Sequence, residues 1–105
     1  MKLYIGGAHQ GQEEFARREN PGADIIPDFH LLLKGFDGDP RAFAEDFYHQ
    51  HPDTVVVADE IGCGVVPVDR NDRAWREAAG RALCVLAQKS ESVTRVICGI
   101  GVRIK

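Results

Sequence analysis

Hydrophobic and polar positions change their period several times along the chain, and each change marks an element. Lys2 to Ile5 is a short apolar run that stops at two glycines and reads as a first strand. From Gln12 to Glu19 the pattern turns helical, and Asn20-Pro21-Gly22 ends it. Asp24-Ile25-Ile26 reads as a second, short strand punctuated by Pro27 and Asp28. Phe29 to Lys34 is expected to form a short helix ending at Gly35, a residue suited to the left-handed conformation beyond a helix. Asp39-Pro40 combines a capping carboxylate with a proline at the first helical position. Phe43 and Phe47 then lie one turn apart on one face until Pro52 ends the pattern.

The second half is clearer. Thr54-Val55-Val56-Val57-Ala58 is apolar on both faces, as a parallel strand covered by helices on each side must be. Behind Asp69, a plausible cap, Trp75, Ala78, Ala79, Ala82, Leu83 and Leu86 recur at helical spacing, with Arg73, Arg76, Glu77 and Arg81 outside the stripe. Val93 to Cys98 and Gly101 to Ile104 form a last pair of strands, with Gly99 and Gly101 either turning the chain or kinking one long strand. Strands alternating with helical patterns predict one α/β domain over residues 1–105, with a mostly parallel sheet flanked by helices and a final strand pair that can be antiparallel.

Composition excludes more than it assigns. A chain of 105 residues with 44% hydrophobic content suits one core and is too short for two ordinary domains. Thirteen basic and 16 acidic residues in mixed order, net −3, form no basic stripe, which argues against a nucleic-acid partner. No apolar run approaches the roughly 20 residues of a membrane span, and no signal-peptide core is seen, so a cytoplasmic location is expected. Cys63, Cys84 and Cys98 form no C-x-x-C pair and suggest neither a disulfide framework nor a thiolate zinc site.

Two stretches could carry chemistry. Gly6-Gly7-Ala8-His9-Gln10-Gly11-Gln12-Glu13 has the strand–glycine turn–helix setting of a phosphate loop, in which backbone N–H groups and the helix end face the anion. The pattern G-x-x-x-x-G-K-[ST] asks for a lysine and a hydroxyl where Gln12 and Glu13 stand; Gln12 brings no charge, and the Glu13 carboxylate repels the polyphosphate that the helix dipole attracts. The turn is thus a phosphate loop that has lost its cation or an ordinary βα turn. Asp59-Glu60-Ile61-Gly62-Cys63-Gly64-Val65-Val66-Pro67 follows the apolar strand, where ligands of open parallel sheets gather. Asp59 and Glu60 are candidate magnesium ligands and Gly62, Gly64 and Pro67 candidate ligand-loop residues; otherwise one acid caps the turn and the other faces water. Of the four histidines, His9 lies inside the glycine turn and can donate to an anion. His49 and His51 are two apart in a predicted helix and face different ways, and no H-x-x-x-H pair exists.

The segment from Ala58 to Ala87, "ADEIGCGVVPVDRNDRAWREAAGRALCVLA", and the closing "VICGIGVRIK" resemble the carboxyl-terminal half of the cobinamide kinase/cobinamide phosphate guanylyltransferase family. That family has an N-E-V-G-x-G-V-V-P block before a long helix with R-x-x-x-G-R-x-N-Q-x-x-A, and a G-G-A-R-S-G-K-S loop near its start. Gly6, Gly7, Ala8 and Gly11 match the loop, whereas His9, Gln10, Gln12 and Glu13 stand for its Arg, Ser, Lys and Ser. Glu60, Gly62, Gly64 and Pro67 match the second block, with Asp59 in place of Asn. Gly80, Arg81 and Ala87 match the helix, and Cys84 lies near its amide pair.

The resemblance implies a P-loop-like domain of cobalamin biosynthesis with a degenerate phosphate loop. It also implies that the stretch bearing the guanylylated histidine has no counterpart between Arg17 and Thr54, so no histidine here inherits that role. The expected function is that of a non-catalytic, shortened homologue retaining weak nucleotide or corrinoid binding. The alternatives are an active kinase or guanylyltransferase of corrinoid salvage, using magnesium with ATP or GTP, and a self-associating domain without ligand. A homo-oligomer, a trimer by resemblance, is the expected assembly.

Overall fold

The computed structural model describes residues 1–61 and 69–105. The central strands form because their residues are apolar on both faces. β1 (Lys2–Gly6) lies between β3 (Val55–Asp59) and β4 (Ser92–Ile97), parallel to both, and β2 (Ile25–Ile26) extends the sheet beyond β3. β5 (Ile100–Arg103) closes the other edge antiparallel to β4, giving the order β2-β3-β1-β4-β5. The expected α/β architecture is therefore present, and the choice left open at the carboxyl end resolves as a hairpin. Cys98 and Gly99 make its turn with φ of 51° and 75°, while Gly101 lies inside the strand.

The helices cover the two faces unequally. Among the described residues, α1 (Gln12–Glu19) packs alone on one face, where Tyr4, Val55, Val57 and Ala16 are buried and Phe15 and Ile25 pack beside them. The other face carries α2 (Pro40–Gln50), α3 (Arg70–Lys89) and the 3-10 helix Phe29–Leu33, over a larger core that includes Leu3, Phe29, Leu33, Phe47, Val56, Leu86 and Val93. Burying these side chains is the main favourable term, each worth about 1.5–3 kcal/mol. Both capping aspartates act as their positions predict: Asp39 accepts from the Arg41 N–H, and Asp69 from the N–H groups of Asn71 and Asp72. Gly35 takes the left-handed conformation, φ 70°. α2 ends at Gln50, so His51 sits at its cap and not within the helix.

The glycine loop between β1 and α1 and the end of β3 meet at the carboxyl ends of neighbouring parallel strands, Gly6 standing opposite Asp59. This is where an open α/β sheet places its ligands.

Candidate functional site

The loop is held from two sides. Gln12, the first residue of α1, shares a helix face with Ala16 one turn on, and both are buried. The amide of Gln12 turns back beneath the loop: Nε2 lies 3.2 Å from the Gly6 carbonyl oxygen, 3.1 Å from that of Gly7 and 2.7 Å from Asp59 Oδ1. On the other side the β4–β5 turn fastens Gln10. Its carbonyl accepts from the Gly99 N–H at 2.8 Å, and its side-chain Oε1 accepts from the Cys98 N–H at 2.7 Å. His9 and Gly11 adopt left-handed φ of 61° and 86°. Such a turn aims successive N–H groups into one concavity. Among the described residues, no backbone N–H of residues 7–13 donates to a protein acceptor. The arrangement offers donors to an anion, with the exposed His9 and Ala8 at its rim.

The acids at the end of β3 diverge. Asp59 Oδ1 takes the Gln12 amide, and its Oδ2 lies 3.6 Å from His30 Nε2. The Asp59 N–H donates to His30 Nδ1 at 3.0 Å, so that ring nitrogen serves as an acceptor. The His30 ring is buried, and its carbonyl accepts the Trp75 indole N–H at 2.7 Å. A polar chain thus runs from the glycine loop through Gln12, Asp59 and His30 to α3. Glu60 turns elsewhere: its carboxylate meets Arg95 Nε at 3.0 Å, while its own N–H donates to the Gly6 carbonyl at 2.7 Å. Glu13 also leaves the loop, pairing with Arg17 one turn on at 3.1 Å on an exposed surface. As placed, Asp59 and Glu60 do not converge on one ion, and no hydroxyl stands at residue 13. These groups do not fit a magnesium ion held as a phosphate loop holds it.

The structure therefore brings Gly6, Gly7, Ala8, His9, Gln10, Gly11, Gln12 and Asp59 together and sends Glu13 and Glu60 to other partners. Gly62, Gly64 and Pro67 lie outside the described residues, as does Cys63. His30 went unassigned in the sequence because nothing around it signals that a 3-10 turn will carry it beneath the end of β3. The inward turn of Gln12 did leave a signal, its one-turn spacing from Ala16. A cleft of about 540 Å³ lies away from the loop, on the α1 face between Lys2, Tyr4, Phe15, Thr94 and Arg103.

A parallel sheet of this order, with a glycine turn opening the first helix beside an acid at the neighbouring strand end, defines a P-loop-like α/β domain. The model of the cobinamide kinase / cobinamide phosphate guanyltransferase family matches residues 33–104, more than two-thirds of the chain, and the chain belongs to that family. The bifunctional adenosylcobalamin biosynthesis proteins of Salmonella typhimurium and Escherichia coli are each 45% identical to it over 51 residues. That match takes in 49% of this chain and 28% of each relative, so the chain matches little more than a quarter of the relatives' length. The family-model match begins at residue 33 and does not include the glycine loop. Among the described residues, no helix is long and apolar enough to cross a membrane.

Proposed function

We propose that this chain is a non-catalytic member of its cobalamin-biosynthesis family, in which the glycine turn keeps the frame of a phosphate loop and binds anions weakly. The observation that carries this reading is the position of the Gln12 amide. A phosphate-loop lysine offers a mobile ammonium to the β- and γ-phosphates. Gln12 is neutral, and its donors are committed to two loop carbonyls and Asp59. The open N–H groups of the turn and the start of α1 still favour an anion. A helix end contributes about 0.3–1 kcal/mol at an exposed site, well short of the roughly 4 kcal/mol that millimolar binding needs, so with the donors of the turn added the binding is millimolar or weaker. Transition-state charge on a transferring phosphoryl group would find no cation from the loop, and removing one such group normally costs orders of magnitude in rate.

Calorimetric titration with phosphate, magnesium-ATP, magnesium-GTP and cobinamide in turn tests the binding, and a phosphorylation assay on cobinamide tests the chemistry. The expected outcome is millimolar or weaker phosphate and nucleotide binding, no turnover above a protein-free control, and no guanylyl adduct in the intact mass. Turnover that survives exhaustive purification overturns the reading.

A further inference from the structure

We propose that the cleft on the α1 face binds a free α-amino acid. Its floor is one face of three neighbouring strands. Tyr4 of β1 stands beside Thr94 of β4, and Thr94 beside Arg103 of β5, while Lys2 stands beside Ser92 in the next row. Paired residues project to the same side of a sheet, and these five all line the cleft of about 540 Å³. α1 crosses the face at one end, where the Phe15 ring sits on Gly101, and its carboxyl end supplies Glu19 and Asn20 as a wall. The volume is that of a small-molecule site, about 300–1,000 Å³. Lys2 opens β1 and Gly6 closes it, so the cleft reaches the opposite end of the strands from the glycine loop.

Two observations point to a ligand. Ser92 and Thr94 are only 9% and 7% exposed, yet neither hydroxyl has a hydrogen-bond partner among the described residues. No sealed side-chain oxygen or nitrogen among those residues lacks a partner, so both hydroxyls open on the cleft. A nearly buried hydroxyl without a partner forfeits hydrogen bonds that a ligand can restore. The second observation is charge. Lys2 and Arg103 bring two cations and Glu19 and Glu91 two carboxylates, and no ion pair joins them to one another. Lys2 Nζ donates instead to Asn20 at 3.3 Å, Arg103 Nε to the Lys105 carbonyl at 2.9 Å, and Glu19 Oε1 accepts the Tyr4 hydroxyl at 2.7 Å. Opposite charges kept apart across one cleft suit a molecule that bears both signs. The four side chains sum to zero, so a polyphosphate meets as much repulsion as attraction, whereas a zwitterion is attracted at both ends. The ligand carboxylate then takes the Thr94 hydroxyl and the terminal N–H groups of Arg103, its ammonium donates to Glu19 Oε2, and its side chain lies along Phe15.

Titration of the whole chain with L-leucine, followed by backbone amide shifts in NMR, tests this. Saturable shifts are expected at Glu19, Ser92, Thr94 and Arg103, with Gly7 to Gly11 unmoved and a Kd of about 1 mM or tighter. Isocaproate lacks only the ammonium of leucine and isoamylamine only its carboxylate. Each should bind about tenfold or more weakly, since each forfeits one set of charge-assisted hydrogen bonds. Thr94→Val keeps the shape of the floor and removes the hydroxyl, and Arg103→Gln removes the cation; each should weaken leucine about tenfold. Should either variant unfold, the three ligands compared on the wild-type chain decide alone. Absence of saturable shifts overturns the proposal, as do shifts confined to the glycine loop or an equal affinity for leucine and either half-ligand. Binding of D-glucose at the cleft without binding of leucine overturns it too, because hydroxyls and not charges would then select the ligand. Failure of phosphate to bind the glycine loop bears on the proposed function and leaves this site untouched.

Discussion

Gln12 shows how far one side chain can redirect a familiar loop. Its amide has two hydrogens and three acceptors within 3.2 Å, all of them at the junction of β1, α1 and β3. Gln12→Ala removes the donor to the Gly7 carbonyl and to Asp59 Oδ1 and leaves the Gly6 carbonyl with the Glu60 N–H alone, and should cost about 1–3 kcal/mol in urea denaturation, since part-buried acceptors lose a partner that water replaces poorly. A loss under a few tenths would mean that water enters freely beneath the loop. Tyr4, on the α1 face, gives a pH-dependent counterpart. Its hydroxyl donates to Glu19 at 2.7 Å and accepts from the Asn20 amide at 2.9 Å. Burial pushes its phenol above the ordinary value, and the Glu19 carboxylate adds to the effect, while the Asn20 hydrogen bond opposes it. A raised value in the fold means that the contribution of Tyr4 is complete below the unfolded value of about 10 and is lost as pH rises through the folded one. The stability gap between the wild type and Tyr4→Phe should therefore narrow from pH 8 to pH 11. A constant gap would show that the phenol titrates in the fold as it does in the unfolded chain.

At the scale of elements, most boundaries follow from local chemistry. Asp39-Pro40 and Asp69 open their helices as written, because a capping carboxylate needs only the next two or three N–H groups. The hairpin was less legible, since a Cys-Gly turn places a residue with a Cβ at φ 51°, where asparagine or glycine would be the usual choice. Close approach between strands was not legible at all. A Cβ built on Gly6 would lie 2.5 Å from the Val96 carbonyl oxygen, a backbone atom of the neighbouring strand region that cannot retreat without disturbing the sheet. Gly6→Ala should thus cost more than Asp69→Ala, which removes a cap worth about 0.5–2 kcal/mol and leaves the sheet untouched. Urea midpoints of the two variants decide the order; equal or reversed losses would mean that β1 and β4 have slack between them.

Over the whole molecule, the sequence by itself determined the alternation of strands and helices, the caps and the glycine turn beside an acid-ended strand. These are encoded in period and in neighbours a few residues away, which the chain reads locally. The blocks from Ala58 onward also carried the family, now shown by the match over residues 33–104. Only the tertiary structure decided what the polar groups do. Asp59 and Glu60 are adjacent in sequence, yet successive residues at the end of a strand point apart, so one meets Gln12 and the other Arg95. Gln12 and Asp59 are 47 positions apart, and His30 lies 29 before Asp59. No local period specifies such meetings. They come from the register of β1 against β3 and from the packing of α1 and the 3-10 helix at opposite sides of that strand end, where a buried polar group must find a partner or lose its hydrogen bonds with water.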